Sequence, residues 1–72
     1  MNNKAATDTK EIKIGSELVS IEPVKGDINL FRINIHQRFK GYILHKDGLY
    51  SKTDGSDIHD LIFARLCHFL SQ

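Results

Sequence analysis

This chain of 72 residues contains only one cysteine, Cys67, and no tryptophan. A single cysteine cannot form an internal disulfide, so a disulfide-stabilised scaffold is excluded and a reducing, cytoplasmic setting is expected. A domain of this length buries only a modest fraction of its surface. We therefore expect extra stability from either a metal ion or self-association.

Long apolar runs are also absent. No stretch approaches the roughly 20 apolar residues that a membrane-spanning helix needs, so we expect no membrane insertion. The first eleven residues, MNNKAATDTKE, have neither the apolar core of a secretory signal nor side chains to bury. We predict a flexible tail over residues 1–11 and a single small domain over residues 12–72.

The chain has little net charge, formally +1, but its charges are unevenly distributed. Segment 32–52 has a local charge of +4, because its five cations face only one acidic residue, Asp47. The segments on either side are mildly acidic. This distribution makes the middle of the chain the natural place for a surface that binds an anionic partner.

Alternating apolar and polar residues predict four β-strands. The runs LVSIEPV (18–24) and INLFRINIH (28–36) are separated by a loop, Lys25-Gly26-Asp27. Within GYILHKDGLYSK (41–52), the pair Asp47-Gly48 predicts a hairpin with a two-residue turn. The four strands therefore form an antiparallel meander.

The strand register follows from the loop lengths that place apolar residues opposite each other. A three-residue first loop sets Ile21 opposite Phe31, and a four-residue second loop over residues 37–40 sets Ile35 opposite Tyr42. This register predicts one apolar face made of Val19, Ile21, Phe31, Ile33, Ile35, Tyr42, Leu44 and Leu49. It predicts an opposite face made of Ser20, Arg32, Asn34, His36, Ile43, His45, Tyr50 and Lys52.

A helix is predicted over about residues 57–70, after a turn at Asp54-Gly55. Ser56 or Asp57 can cap its first N–H groups, and Asp60 suits the positive end of the helix dipole. The expected fold class is α+β, a four-stranded antiparallel β-meander with one C-terminal α-helix packed on one face (β-β-β-β-α).

The apolar residues of this helix cover more than half of its circumference. Packing on the sheet would use Ile58, Leu61, Ile62, Leu66 and Phe69. Phe63, Cys67 and Leu70 then form a strip on one side, which is typical of an interface and predicts a homodimer or a protein partner. The alternative is that Ile12, Ile14 and Leu18 fold over this strip.

Metal binding and catalysis lack a supporting motif. Cys67 and His68 diverge on the helix, and His59 lies about 12 Å from Cys67 along the helix axis, so neither pair suits a tetrahedral zinc site. The run KTDGSDIHD (52–60) lacks the alternating ligands of a calcium loop. No nucleophile with a base and an oxyanion-binding group is evident. We expect no metal, no cofactor and no enzymatic activity.

The basic face of the predicted sheet offers a second functional hypothesis. In the predicted register, Arg32, His45 and Tyr50 share one row and Lys52 lies in the next. Arg38, Phe39 and Lys40 extend the surface from an adjacent loop. Cations beside an aromatic ring are typical of proteins that bind single-stranded nucleic acid. The alternative is an ordinary solvated sheet face, which also holds Arg, Lys, Asn and His.

The order of elements, a strand meander followed by one C-terminal helix, resembles the single-stranded-DNA-binding transcriptional coactivator fold, which dimerises, and also chromodomain-like modules. The resemblance is one of topology only, and we transfer no functional residue from either family. The expected function is a non-catalytic protein-interaction or self-associating module. Weak binding of single-stranded nucleic acid through the basic sheet face is the alternative.

Overall fold

A computed structural model describes residues 9–72. It shows an α+β fold in which an antiparallel meander of five strands precedes one C-terminal helix, and this confirms the predicted class with one additional strand. The strands are β1 (Lys10–Ile14), β2 (Glu17–Val24), β3 (Asp27–Ile35), β4 (Arg38–Lys46) and β5 (Leu49–Lys52), and the helix is α1 (Asp60–Leu70). Their order in the sheet follows the chain.

The additional strand is β1, at one edge of the sheet. It pairs with β2 so that Ile12 lies opposite Val19, and Ile12 and Ile14 pack against the core. Lys10 and Glu11, which were predicted to belong to the tail, are part of this strand. Its two isoleucines, which begin the predicted domain, bury apolar surface against the core. Residues 1–8 of the predicted tail lie outside the described residues.

The hydrophobic core lies between one face of the sheet and α1. Its buried members are Val19, Ile21, Ile33, Ile35, Ile43, Ile58 and Leu66. Strand alternation explains the members from β2 and β3, since every second residue of a strand points to the same face. We call this face the helix side of the sheet and the opposite face the outer face.

The first predicted register is shifted by two residues in the structure. Ile21 lies opposite Ile33, not Phe31, and the ladder is interrupted between Pro23 and Val24. A bulge of this kind adds unpaired residues to one strand, which a count of loop length does not anticipate. Because the shift is even, the apolar residues of β2 and β3 stay on the predicted face.

The predicted register between β3 and β4 is wrong, and the error changes the face of the sheet on which the β4 side chains lie. The turn between β3 and β4 consists of His36 and Gln37, with φ of 51° and 68°, instead of four residues. Positive φ at both central residues is the requirement of a tight hairpin turn that matches the twist of the strands. The structure sets Arg32 opposite Tyr42, and the ladder shifts again between Ile33 and Asn34.

This odd shift turns β4 over. Ile43 is buried on the helix side, whereas Tyr42 and Leu44, predicted for the apolar core face, point to the outer face. The hairpin at Asp47-Gly48 has the predicted pairing, with His45 opposite Tyr50. Since β5 follows β4 in register, its faces are exchanged as well.

The helix begins three residues later than predicted. His59 is its N-cap, and the Nδ1 atom of His59 accepts a hydrogen bond of 3.2 Å from the N–H of Leu61. Ser56, predicted as a cap, instead lies 3.1 Å from the Thr53 hydroxyl in the preceding turn. Asp60 occupies the first turn, where its charge suits the helix dipole.

The segment between β5 and α1 is attached to the backbone of β4 next to Gly41. The carbonyl of Tyr42 accepts a hydrogen bond of 3.1 Å from the N–H of Thr53, and the carbonyl of Lys40 accepts one of 2.7 Å from the N–H of Asp57. Gly41 has a φ of 137°. A Cβ atom at this position would lie 2.6 Å from the Cβ of Ser56 and 2.8 Å from its Cα, so only glycine allows this approach.

Replacing Gly41 should therefore destabilise the whole domain. We expect Gly41→Ala to lower the free energy of unfolding by about 2–4 kcal/mol, because backbone strain and overpacking both contribute. Urea denaturation followed by circular dichroism measures the loss.

The matched control is Gly26→Ala, since Gly26 also has a positive φ, 91°, but has no atom within 4 Å of an added Cβ. It should cost only about 1 kcal/mol of backbone strain. Equal losses in the two variants would show that the contact with Ser56 is unimportant.

Candidate interaction surface

The outer face of the sheet is more apolar than an ordinary solvated face. It carries the residues that alternate with the buried ones, namely Leu18, Ser20, Glu22, Leu30, Arg32, Asn34, Phe39, Tyr42, Leu44, Leu49 and Ser51. Three of the four large exposed hydrophobic side chains in the described part of the chain, Leu18, Phe39 and Leu49, lie on this face. The helix packs on the other side.

Apolar side chains lie on the outer face of β3, β4 and β5. We define the outer strip as Leu30, Phe39, Tyr42, Leu44 and Leu49. Leu30 lies directly opposite Leu44, and Phe39 packs edge-on against Tyr42 with ring centroids 5.2 Å apart. Phe39 is 48% and Leu49 72% exposed. Exposed apolar surface of this kind is typical of an interaction site.

Arg32 lies at one side of the outer strip. Its Cζ atom is 4.4 Å from the centroid of the Phe39 ring, which is a cation–π contact. Glu22 is the residue opposite Arg32 on β2, yet the guanidinium reaches across to Phe39 on β4. Within residues 9–72 no ion pair involves Arg32. Its N–H donors are consequently available to a carboxylate or phosphate from outside.

The predicted row of Arg32, His45 and Tyr50 is not formed. Only Arg32 lies on the outer face, because β4 and β5 are turned over relative to the predicted register. The His45 and Tyr50 rings stack on the helix side at a centroid distance of 4.2 Å. The Tyr50 hydroxyl donates a hydrogen bond of 3.2 Å to the carbonyl of Leu70 at the end of α1. Tyr50 thus joins the sheet to the helix.

Lys52 also belongs to the contact between sheet and helix. Its Nζ atom donates hydrogen bonds of 3.1 Å to the carbonyl of Ile58 and 2.7 Å to Oδ1 of Asp60, and it lies 5.5 Å from the centroid of the Phe63 ring. The hydrogen bond from Lys52, and then its charge, lower the pKa of the Asp60 carboxyl. Lys52 therefore holds the start of the helix against β5.

Arg38 and Lys40 lie at an open cleft between the sheet and the start of the helix. The cleft has a volume of about 630 Å³ and an apolar floor that includes Ile35, Ile58 and Ile62. Its rim has mixed charge: Lys40 lies 3.6 Å from Asp57, and His36 lies 2.8 Å from Glu17. The six predicted basic-face residues are thus divided between the outer face, the cleft and the helix contact.

The helix residues predicted as an interface are half-buried. Phe63 and Leu70 pack against the core, and Cys67 is only partly exposed. Burial raises the pKa of the Cys67 thiol, which disfavours the reactive thiolate. Leu61, predicted to face the sheet, is 64% exposed. Ile58, which shares the predicted helix face with Leu61, lies before the helix, so the buried side of α1 is set by Leu66 instead.

Tyr42, Leu44 and Leu49 were predicted for the buried face but lie on the outer face, whereas Phe39 was predicted in a loop that extends the basic surface. The available signal was Gly41, since a glycine inside an alternating run marks a bulge that can exchange the faces of a strand. Together with a shorter turn at His36-Gln37, it would have placed these side chains outside.

The comparisons with known proteins add no family to this description. No protein-family model, curated protein or solved structure matches the chain. Over residues 9–72, no group of three or more His, Cys, Asp or Glu side chains is arranged to hold a metal ion. The described helix does not combine the length and apolar character needed to cross a membrane.

The contact between Lys52 and Asp60 makes the stability of the fold depend on pH in the acid range. Because the pKa of Asp60 is lower in the folded state, its contribution is complete above the unfolded pKa of about 3.9 and is lost as pH falls through the folded value. We expect Lys52→Met to raise the Asp60 pKa towards about 3.9. An NMR titration of the carboxyl carbons measures this change.

The control is Asp54→Asn, which removes one carboxylate and leaves the contact between Lys52 and Asp60 intact. An Asp60 titration unchanged by Lys52→Met would contradict the assigned cause of the shift.

Proposed function

We propose that this protein is a non-catalytic protein-interaction module that binds a partner protein through the outer strip. The observation that carries the proposal is the exposure of Phe39 and Leu49 on a sheet face that α1 does not cover. Burying apolar surface contributes about 25 cal/mol per Å², so covering this strip is favourable. Aromatic side chains at the centre of such a surface are typical anchors of protein interfaces.

The charges beside the strip indicate what the partner presents. Arg32 has its side chain ordered by Phe39, and Lys46 lies opposite Leu49 at the other end of the face. An apolar patch flanked by one or more carboxylates would match both the strip and these cations. The proposed partner is therefore a protein with an apolar, acid-flanked surface.

The positions of the titratable side chains support a binding role without catalysis. His59 caps the helix, Tyr50 bonds to its last turn and Lys52 holds its first turn. The Nε2 atom of His36 lies 2.8 Å from Oε1 of Glu17 at an exposed position. Each of these groups stabilises the fold, and none of them lies on the outer face beside the strip.

A matched pair of leucine variants tests the proposal. Leu49 on the outer strip and Leu61 on the helix are 72% and 64% exposed, so an aspartate at either position should leave the fold intact. We expect Leu49→Asp, but not Leu61→Asp, to weaken partner binding at least about tenfold, because a charge on the strip must be desolvated. Affinity capture with the unchanged protein and both variants identifies partners, and calorimetry with the purified partner measures the loss.

The decisive comparison is between the two variants. A partner retained equally by both, or lost equally with both, would show that binding does not use the outer strip. Circular dichroism of each variant checks that the fold is unchanged.

Single-stranded nucleic acid is the second candidate ligand. It is favoured by one arrangement, a guanidinium over the Phe39 ring beside a second ring, Tyr42, on an open antiparallel sheet. Such rings can stack on bases while the cation contacts phosphate. The near-neutral net charge of +1 places this candidate after the protein partner.

Fluorescence anisotropy with labelled single- and double-stranded oligonucleotides tests this candidate. Binding should prefer single strands, weaken with salt, and fall about tenfold in Tyr42→Ala, because stacking contributes about 1–3 kcal/mol per base. Arg32→Ala should weaken it, whereas Arg65→Ala on the exposed side of the helix should not. Absence of binding at low salt, or equal effects of the two arginine variants, would exclude this role for the outer face.

A further inference from the structure

The strand β1 forms one edge of the sheet, and among the described residues nothing pairs with its outer side. An edge strand presents unpaired backbone N–H and C=O groups, which can form hydrogen bonds with another strand. The other edge, β5, is shorter, with four residues. The side chains of Tyr50 and Lys52 on β5 already bond to the helix or the segment before it.

The sequence of β1, KEIKI, is self-complementary when two copies are antiparallel. An antiparallel pair centred on Ile12 sets Glu11 of each copy opposite Lys13 of the other. We propose that two copies of this chain pair through their β1 strands in this register, as a symmetric homodimer with one continuous ten-stranded sheet.

The charges of Glu11 and Lys13 support this register of the β1 pair. In one copy, Glu11 lies opposite Ser20 and Lys13 lies opposite Leu18, so neither has an opposite charge across from it on β2. Both side chains are exposed. In the dimer, Glu11 of each copy lies opposite Lys13 of the other copy, so the two-fold axis forms two attractive pairs. The same operation on β5 would set Leu49 opposite Ser51 when centred on Tyr50, or Tyr50 opposite Lys52 when centred on Ser51, and neither register pairs opposite charges.

The helix side of the strand contributes apolar contacts. Ile12 and Ile14 are half-buried and pack against the core within one copy. In the dimer, Ile12 of one copy lies beside Ile12 of the other, and the aliphatic stem of Lys10 covers Ile14 across the new ladder. The core of each copy is thereby extended across the interface.

The dimer would place both outer faces on the same side of the joined sheet, because residues that lie opposite each other in an antiparallel pair point to the same face. Two outer strips would then be available to a bivalent partner, which strengthens binding without new contacts. This consequence rests on the proposed function, whereas the pairing of β1 does not.

Charge reversal tests the register directly. Sedimentation equilibrium of the full chain should show a monomer–dimer equilibrium. Lys13→Glu sets two carboxylates opposite each other, and Glu11→Lys sets two ammonium groups opposite each other. We expect each single change to weaken dimerisation about tenfold, and the double change Glu11→Lys with Lys13→Glu to restore it. Arg65→Glu, an equal change of charge on the exposed side of the helix, should leave the dimer unaffected.

Mixing the two single variants provides a second measurement. Dimerisation of each single variant is weakened, but in a mixture of the two variants carboxylates lie opposite ammonium groups. Native mass spectrometry should therefore detect the heterodimer in excess over both homodimers. A monomer at every concentration, single variants that dimerise as well as the unchanged chain, or a double variant that stays monomeric would each overturn the proposal. Dimer loss in Phe63→Glu, with none in Lys13→Glu, would instead assign the interface to the helix.

The proposed partner binding and the proposed dimer can be contradicted independently of each other. Leu49→Asp reports on partner binding and leaves β1 unchanged, while the charge reversals report on self-association and leave the outer strip unchanged. A stable dimer without partner binding would contradict the proposed function alone.

Discussion

The close approach of Ser56 to Gly41 is the constraint on which most of the structure depends. It occurs beside the ladder shift in β4, and hydrogen bonds to the carbonyls of Lys40 and Tyr42 attach the segment that leads to the helix. Ile43 then faces the helix and is buried, while Tyr42 points away from it. A single backbone contact without room for a Cβ atom thus coordinates the orientation of β4 with the docking of α1.

The helix side of the sheet stabilises the fold, whereas the outer face is the proposed binding surface. On the helix side, Tyr50 and Lys52 donate hydrogen bonds to groups at the two ends of α1, so their polar atoms stabilise the packing of the helix on the sheet. On the outer face, Phe39 and Leu49 remain exposed beside Arg32, and this is where burial of apolar surface by a partner would be most favourable. The edge strand β1 offers a third surface, whose backbone groups and charges suit a second copy.

The parts of the fold that were predicted correctly depend on local signals. The turn at Asp47-Gly48 and its pairing of His45 with Tyr50 were confirmed, because Asp-Gly suits the positive φ values of a two-residue hairpin. The turn at His36-Gln37 carries no such signal, and its length was misjudged. That error alone shifts the register by an even number of residues and keeps the faces, whereas the bulge beside Gly41 makes the shift odd and exchanges the faces of β4 and β5. The candidate site was therefore predicted with Arg32 in place but with the wrong neighbours.

The sequence by itself determined the α+β class, the order of the elements and the buried residues of β2 and β3, since alternation and local turn chemistry are properties of neighbouring residues. Only the tertiary structure decided which side of β4 faces the helix and that β1 completes the sheet. Strand faces depend on the parity of the register, which a bulge changes by one residue. The bulge at β4 is stabilised by contacts with Thr53, Ser56 and Asp57, which come from a segment beyond the next strand.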